Sequence, residues 1–186
     1  MQDSIHYLGH VITSHGQHTS PERIKAVSDA PAPANATELR SFLSFVNYYG
    51  KFVSQLTDRI STLLPLLKSD AEFIWTRAHQ NCFDNLKQVM NSLPVLAHYD
   101  DKLPVGVATD ASNHGVSATL FLIYANGDER PIAFASRTLT PFEHNYGQIE
   151  REALSIIFGV NKFKHYLIAH YFVLVTDHKP LVTLFG

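Results

Sequence analysis

The spacing of hydrophobic residues changes near residue 93, and this change predicts two regions of different structure. Before it, apolar residues recur at steps of three and four, the period of a helix with one buried face. The longest such series is Leu39, Phe42, Leu43, Val46, Tyr49 and Val53. Helices are predicted from Pro21, after the start motif 35–38, over 56–67 with an interruption at Pro65, and after Thr76, behind a β-rich segment over 5–13. Residues 1–93 are therefore predicted to be mainly helical.

After residue 93 the pattern changes to short strands around one long helix. Strands are predicted over 103–110, 115–124, 130–136 and 171–176, a helix over about 146–166, and the first turn of another helix over 180–185. Three strands joined by short turns form an antiparallel meander, and the helix then acts as a crossover that returns the fourth strand parallel to the first. The expected fold class is α+β, with an α/β domain over 94–186.

Composition and charge limit the classes of protein to consider. The 186 residues include 15 Lys and Arg against 17 Asp and Glu, a formal net charge of −2. A free-standing nucleic-acid-binding protein usually carries a positive excess, because phosphate neutralisation supplies much of its affinity. The single cysteine, Cys82, excludes an internal disulfide framework and a cysteine-based zinc site. No apolar run approaches the roughly 20 residues of a membrane span, so we expect a soluble intracellular chain, cytoplasmic or nuclear.

Two aspartates end strands that are predicted to be parallel neighbours. Asp110 ends the first strand of the α/β region, and Asp177 ends the fourth. Open α/β sheets place their ligands at the carboxyl ends of the strands, so we expect both carboxylates at one edge of the sheet. Either aspartate taken alone equally fits a turn or a helix cap. The pair, and not either residue by itself, indicates a site.

A third carboxylate, Glu152, lies on the predicted inner face of the long helix. That face is marked by Ile149, Ala153, Ile156, Ile157 and Val160. Glu152 is three residues after Ile149 and four before Ile156, whereas Glu150 points about 200° away and faces solvent. The alternative is that Glu152 lies at the edge of the face and extends to solvent.

The three carboxylates together predict a metal site. Acidic side chains with no basic residue among them repel one another, and a bound divalent cation removes that repulsion. All-oxygen ligands suit Mg²⁺, with Mn²⁺ as a substitute. Two such ions about 3.5–4 Å apart are the usual arrangement for displacement at a phosphodiester. Asp110, Glu152 and Asp177 are therefore candidate ligands, if they meet at one edge of the sheet.

Short motifs occur in a fixed order along nearly the whole chain. The later set comprises Thr109–Ser112, Pro131–Leu139, Asn145-Tyr146, Glu150–Leu154 and Thr176–Leu181. The earlier set comprises Tyr7–Ile12, Glu38–Leu43, Asn47–Tyr49 and Pro94–Leu96. The later set resembles the RNase H domain of LTR-retrotransposon polyproteins. The earlier set resembles the region that follows the polymerase palm in gypsy-type reverse transcriptases.

This resemblance implies a role for each region. Residues 1–93 would be a thumb and connection, and 94–186 an RNase H-like domain. The parent enzyme would synthesise DNA on RNA and hydrolyse RNA in RNA–DNA hybrids with two metal ions, using Asp110, Glu152 and Asp177 as catalytic metal ligands. The implied partners are an RNA–DNA hybrid or template–primer duplex and the other polyprotein domains, palm, fingers and integrase; no membrane partner is expected.

The sequence also departs from the family pattern. The Tyr-x-Asp-Asp polymerase hairpin and the fourth RNase H carboxylate have no counterpart here, so we expect a C-terminally incomplete domain that holds only the RNase H part of the site. Tyr99-Asp100-Asp101 precedes the first strand of the α/β region and is assigned no catalytic role. Candidate phosphate contacts are Arg137, His178 and Lys179, although solvated charges are the commoner explanation. The second hypothesis is a non-catalytic remnant or a domesticated nucleic-acid- or protein-binding module.

Overall fold

A computed structural model describes residues 4–179 and 181 of the chain, which divide into two compact units. The helical unit contains residues 1–53 and 59–95, and the sheet unit contains residues 54–58 and 96–186. The short segment 54–58 thus groups with the sheet unit, although its neighbours on both sides in the sequence belong to the helical unit.

The helical unit begins with a small antiparallel sheet. Its three strands are β1 (Ser4–Tyr7), β2 (His10–Thr13) and β3 (Gly16–Thr19), paired in the order β1-β2-β3. The β-rich segment predicted over 5–13 therefore forms β1 and β2. The chain reverses at Leu8 and Gly9, which have φ values of +46° and +75°. Glycine adopts this left-handed conformation readily, which permits the tight turn.

The helices of this unit begin where the sequence predicts. They are α1 (Pro21–Ser28), α2 (Ala36–Tyr48) and α4 (Arg77–Asn91), and α3 (Leu56–Ile60) spans the sequence boundary between the units. Pro21 occupies the first turn of α1, and Asn35 caps α2 by accepting a hydrogen bond from the Glu38 N–H at 2.9 Å.

Two predicted helices are shorter than their hydrophobic patterns suggest. The pattern of α2 continues to Val53, yet the α-helix ends at Tyr48 and a 3₁₀ turn follows over Gly50–Phe52. The helix predicted over 56–67 divides into α3 and a 3₁₀ turn over Leu64–Leu67. Gly50 begins the first of these 3₁₀ turns, and Pro65 lies within the second. Glycine weakens an α-helix, and proline lacks the N–H donor that would continue one.

The sheet unit has the predicted topology. Its elements are β4 (Val105–Ala111), β5 (Gly115–Ile123), β6 (Glu129–Thr138), α5 (Gln148–Leu167) and β7 (Phe172–Val175). The strand order is β6-β5-β4-β7, in which β4, β5 and β6 form an antiparallel meander and β7 is parallel to β4. The predicted α+β fold class, with its meander, crossover helix and parallel fourth strand, is confirmed.

Helix α5 packs on this sheet through a face that coincides only in part with the one predicted. Its buried residues are Glu152, Ser155, Ile156, Gly159, Phe163 and Leu167. Ile149 and Ile157, predicted to be inside, are 44% and 57% exposed. The reason is close packing, because a Cβ at Gly159 would lie only 2.9 Å from Thr109 Cγ2 and 3.0 Å from Ala118 Cβ. Small residues bring the helix onto the strands, and the larger isoleucines lie at its sides.

The edge strand β7 is short and largely exposed. It pairs with β4 over four residues, and Phe172, Val173 and Val175 are exposed. The helical turn predicted over 180–185 lies outside the described residues, except for the buried Leu181. Among the described helices, none combines the length and apolar character that a bilayer crossing requires.

Candidate metal centre

The pairing of β4 with β7 brings Asp110 and Asp177 to the same edge of the sheet. Asp110 is the second-to-last residue of β4, and Asp177 lies two residues beyond β7. The last parallel pair joins Ala108 to Val175. Two further residues along each strand lead to Asp110 and Asp177, so the common edge follows directly from the register.

Helix α5 supplies the third carboxylate to this edge. Glu152 is only 3% exposed, while Asp110 is half-buried and Asp177 is exposed. Each of the three residues offers a carboxylate oxygen, and these oxygens all lie within 4.8 Å of one another. The structure therefore brings the three predicted site residues together from β4, α5 and the segment after β7.

Two side-chain amides bind carboxylates of this acidic cluster. Gln55 Nε2 donates to Asp110 Oδ2 at 2.7 Å, and Gln148 Nε2 donates to Glu152 Oε1 at 2.6 Å. Neither glutamine was predicted from the sequence. Gln148 precedes Glu152 by four positions on one helix, a spacing from which the contact was predictable. Gln55 comes from a distant segment and gives no comparable signal.

The Gln148 amide is itself fixed by a further hydrogen-bonded chain. Arg151 donates from Nη2 to Gln148 Oε1 at 3.1 Å and from Nη1 to Asn113 Oδ1 at 2.7 Å. An amide whose oxygen accepts from a guanidinium presents its nitrogen in one direction. The donor to Glu152 is therefore oriented before any ligand arrives.

The environment of Glu152 disfavours its charged form. Burial raises the pKa of Glu152, and the negative charges of Asp177 and Asp110 raise it further. The hydrogen bond from Gln148 and the charge of His178 lower that pKa to a smaller extent. Glu152 Oε2 is buried and has no hydrogen-bond partner among the described residues. A buried carboxylate oxygen without a partner, beside two other carboxylates, fits a cation ligand.

The three candidate phosphate contacts lie in different surroundings. Arg137 forms a bidentate ion pair with Glu143, with N–O distances of 2.7 and 2.8 Å. His178 is half-buried, and its Nδ1 has no hydrogen-bond partner in the described part of the chain. Lys179 is exposed. His178 and Lys179 follow Asp177 directly, whereas Arg137 is held by Glu143, on the surface of β6.

A family model matches the part of the sequence that contains most of the sheet unit. The model of the RNase H-like domain found in reverse transcriptase matches residues 75–174, more than half of the chain. The fold and this match define the class of the domain. The chain belongs to the family of RNase H-like domains found in reverse transcriptases.

The chain is also similar to polyproteins of retrotransposons. The chain is 33% identical to the Pol polyprotein of transposon 297 from Drosophila melanogaster, over 97% of this chain and 17% of the relative. It is 30% identical to the Drosophila gypsy Pol polyprotein over 97% of the chain and 18% of the relative. It is 32% identical to the Tf2-3 polyprotein of Schizosaccharomyces pombe, over 97% of this chain and 14% of the relative. The chain thus spans less than a fifth of each of these three polyproteins, and the predicted homology to retrotransposon Pol proteins is confirmed.

Solved structures share the fold at lower sequence identity. A foamy viral protease–reverse transcriptase in complex with double-stranded DNA superposes with a TM-score of 0.82 and 22% identity, over 99% of this chain and 38% of that chain. The structure of a foamy viral protease–reverse transcriptase in complex with an RNA/DNA hybrid gives a TM-score of 0.78 and 23% identity. This match covers 96% of this chain and 25% of that chain. At this identity the comparison supports the fold.

Proposed function

We propose that the chain is the thumb, connection and RNase H-like part of a gypsy-type retrotransposon reverse transcriptase, and that its sheet unit hydrolyses RNA in RNA–DNA hybrids. The observation that carries the proposal is the convergence of Asp110, Glu152 and Asp177 within 4.8 Å from three separate elements. In this proposal residues 1–93 are the thumb and connection and 94–186 the RNase H-like domain.

The residues fit a divalent cation by their chemistry. All three candidate ligands are carboxylates, and one of them presents a buried oxygen without a partner. Hard oxygen ligands favour Mg²⁺, and Mn²⁺ accepts the same set. When bound, such a cation supplies Lewis-acid stabilisation of phosphate charge and lowers the pKa of a coordinated water.

The chain's own residues supply binding and orientation. Asp110 and Glu152 are held by amides that donate to one oxygen of each carboxylate. Asp177 lies exposed at the rim, beside His178 and Lys179. We assign Lys179 and His178 to backbone phosphates next to the cation site, with Arg137 as an outer contact whose pair with Glu143 must open. Phosphate contacts of this kind orient a duplex without reading its sequence.

The proposed substrate is an RNA–DNA hybrid, and the proposed partners are the palm, fingers and integrase parts of the same polyprotein. Support comes from the retrotransposon relatives and from the foamy viral protein, whose structures contain double-stranded DNA or an RNA/DNA hybrid. A single-stranded RNA and a DNA duplex of the same sequence are the natural comparison substrates.

Cleavage of an end-labelled RNA–DNA hybrid by the purified chain tests this function. We expect cleavage with Mg²⁺ or Mn²⁺, none with a chelator, and none by the Asp110→Asn variant. Asp101→Asn is the matched control, because Asp101 is an exposed aspartate outside the acidic cluster. Equal cleavage by Asp110→Asn would overturn the assignment of the site. Hybrid binding without cleavage under either cation would favour the alternative, a non-catalytic binding module.

A further inference from the structure

Residues 54–58, which we call the strap, contact the rest of the sheet unit at three places. Gln55 Nε2 donates to Asp110 Oδ2. The Thr57 N–H and hydroxyl both lie within hydrogen-bond distance of Ser136 Oγ, at 3.1 and 3.0 Å. The Asp58 carboxylate accepts a hydrogen bond from the Ser112 hydroxyl. The strap is thus bound to β4, to β6 and to the turn after β4.

The backbone of Gln55 adopts a conformation that its residue type disfavours. Its φ is +51°, in the left-handed region that residues other than glycine rarely occupy. Such outliers persist where the surrounding structure determines them, and they occur often at functional sites. Glycine would satisfy the backbone here without strain. The feature that glycine lacks is the side-chain amide, and in this structure that amide reaches Asp110.

We propose that Gln55 is a positioning residue of the cation site: it fixes the Asp110 carboxylate, so that docking of the strap and occupancy of the site by a divalent cation favour each other. This inference rests on the proposed function, since it takes Asp110 as a ligand. Partners that hydrogen-bond to ligating carboxylates orient them, and their loss typically lowers metal affinity about 10- to 100-fold.

The coupling acts in both directions. If the docked strap strengthens cation binding, the cation must stabilise the docked strap by the same factor. The Thr57 N–H donates to Ser136 Oγ on β6, so this amide reports on docking. We therefore expect its hydrogen exchange to slow when Mg²⁺ is added to the full chain.

Calorimetric titration of the full chain with Mn²⁺ tests the proposal without relying on catalysis. Gln55→Gly removes the amide and also relieves the backbone strain, so we expect the dissociation constant to rise about 10-fold while the melting temperature stays the same or rises. If Gln55 had only a structural role, the affinity of the variant for Mn²⁺ would be unchanged. That result would overturn the proposal. Gln88→Ala is the control, because Gln88 is an exposed glutamine of the helical unit.

A second variant undocks the strap without touching a carboxylate. Ser136→Ala removes the acceptor of the Thr57 N–H, and we expect a several-fold weaker Mn²⁺ affinity together with faster exchange at Thr57. Faster exchange with unchanged affinity would contradict the coupling. Asp110→Asn separates the two proposals. If it binds Mn²⁺ as the unmodified chain does, the cation site itself is wrong. If it loses binding while Gln55→Gly does not, only the role of Gln55 is wrong.

Discussion

Two glutamates of the sheet unit, Glu143 and Glu152, lie in opposite electrostatic environments. The Glu143 carboxylate accepts hydrogen bonds from both terminal nitrogens of Arg137 and from the Thr140 N–H. These hydrogen bonds lower the pKa of Glu143 to about 2. Burial and two neighbouring carboxylates raise the pKa of Glu152. One carboxylate has its counter-charge within the fold, and the other is surrounded by charge of its own sign.

The difference separates a structural carboxylate from a candidate functional one. The pair of Glu143 with Arg137 fixes the connection between β6 and α5, and it is complete without any ligand. The acidic cluster at Glu152 costs stability as long as all its members are charged, because like charges at close range repel and burial removes solvation. A fold that keeps such a cluster, with one buried oxygen unpartnered among the described residues, is suited to a cation.

The largest expected effect comes from neutralising Glu152. Glu152→Gln should reduce cation-dependent hybrid cleavage at least about 100-fold, since we propose Glu152 as a direct ligand and the loss of a ligand matters more than the loss of its hydrogen-bond partners. It should also raise the free energy of unfolding in the absence of cation, because it removes a buried charge from the cluster. Cleavage rates and urea unfolding measure the two effects. Glu150→Gln is the control, since Glu150 lies on the exposed side of α5, and it should retain cleavage. An unchanged cleavage rate for Glu152→Gln would show that Glu152, like Glu143, is not needed for cleavage.

A second prediction concerns the close packing that brings Glu152 to the sheet. Gly159→Ala places a methyl group about 3 Å from Thr109 and Ala118. Overpacking costs about 1–3 kcal/mol, and the better helix propensity of alanine returns about 1 kcal/mol. We expect a net loss of roughly 0–2 kcal/mol in urea unfolding and weaker Mn²⁺ binding, because α5 moves away from β4.

Asn161→Ala is the control for helix propensity, since Asn161 is exposed on the same helix. It should leave Mn²⁺ affinity unchanged and stabilise slightly. If Gly159→Ala behaves in the same way, close approach at Gly159 does not set the position of Glu152.

Removing Glu143, the carboxylate that has a counter-charge, should have a smaller effect, mainly on stability. Glu143→Gln should lower the free energy of unfolding by about 1 kcal/mol, the upper range for a partly exposed bidentate pair. Mn²⁺ affinity should stay close to that of the unmodified chain, and hybrid cleavage should not fall, since the variant also frees Arg137 for its proposed phosphate contact. A large loss of Mn²⁺ affinity in this variant would show that Glu143 also belongs to the site, and the comparison would then fail.

The two glutamates should also differ in how stability depends on pH. The pKa of Glu143 is lowered from 4.5 to about 2, so its contribution is complete above pH 4.5 and is lost as pH falls towards 2. The pKa of Glu152 is raised above 4.5, so its cost is absent below pH 4.5 and appears as pH rises through its folded-state pKa.

Urea unfolding as a function of pH, without cation, measures this smallest effect. The stability difference between the unmodified chain and Glu143→Gln should vanish near pH 2. The difference for Glu152→Gln should have the opposite sign and grow with rising pH. Parallel profiles for the two variants would contradict the assignment of opposite environments.

The sequence predicts most of the fold and the core of the candidate site, for reasons that lie in local pattern. The alternation and turns of β4 to β6 predict the meander, and strand-end positions predict that Asp110 and Asp177 meet. The buried position of Glu152 was predicted correctly from a face that was partly wrong. The exposed Ile149 and Ile157 dominated the hydrophobic pattern, whereas Ser155 and Gly159, which pack closest to the strands, contribute little to it.

What local pattern could not predict depends on contacts between distant segments. Nothing around Gln55 indicates that residues 54–58 group with a sheet whose strands begin some fifty residues later. The same holds for the pairing of Arg137 with Glu143, because the guanidinium geometry of arginine matches phosphate and carboxylate alike. Contacts of this kind depend on three-dimensional placement and leave no periodicity in the sequence.

The parallel pairing of β7 with β4 also affects the order in which the chain folds. Val105 pairs with Phe172, so this ladder forms only after β5, β6 and α5 have been ordered or spanned by an open loop. Contacts between residues far apart in sequence form late, because they require the largest loss of chain entropy. We therefore expect Asp177 to join Asp110 and Glu152 near the end of folding. A cation that binds all three should then slow unfolding and leave the folding rate nearly unchanged.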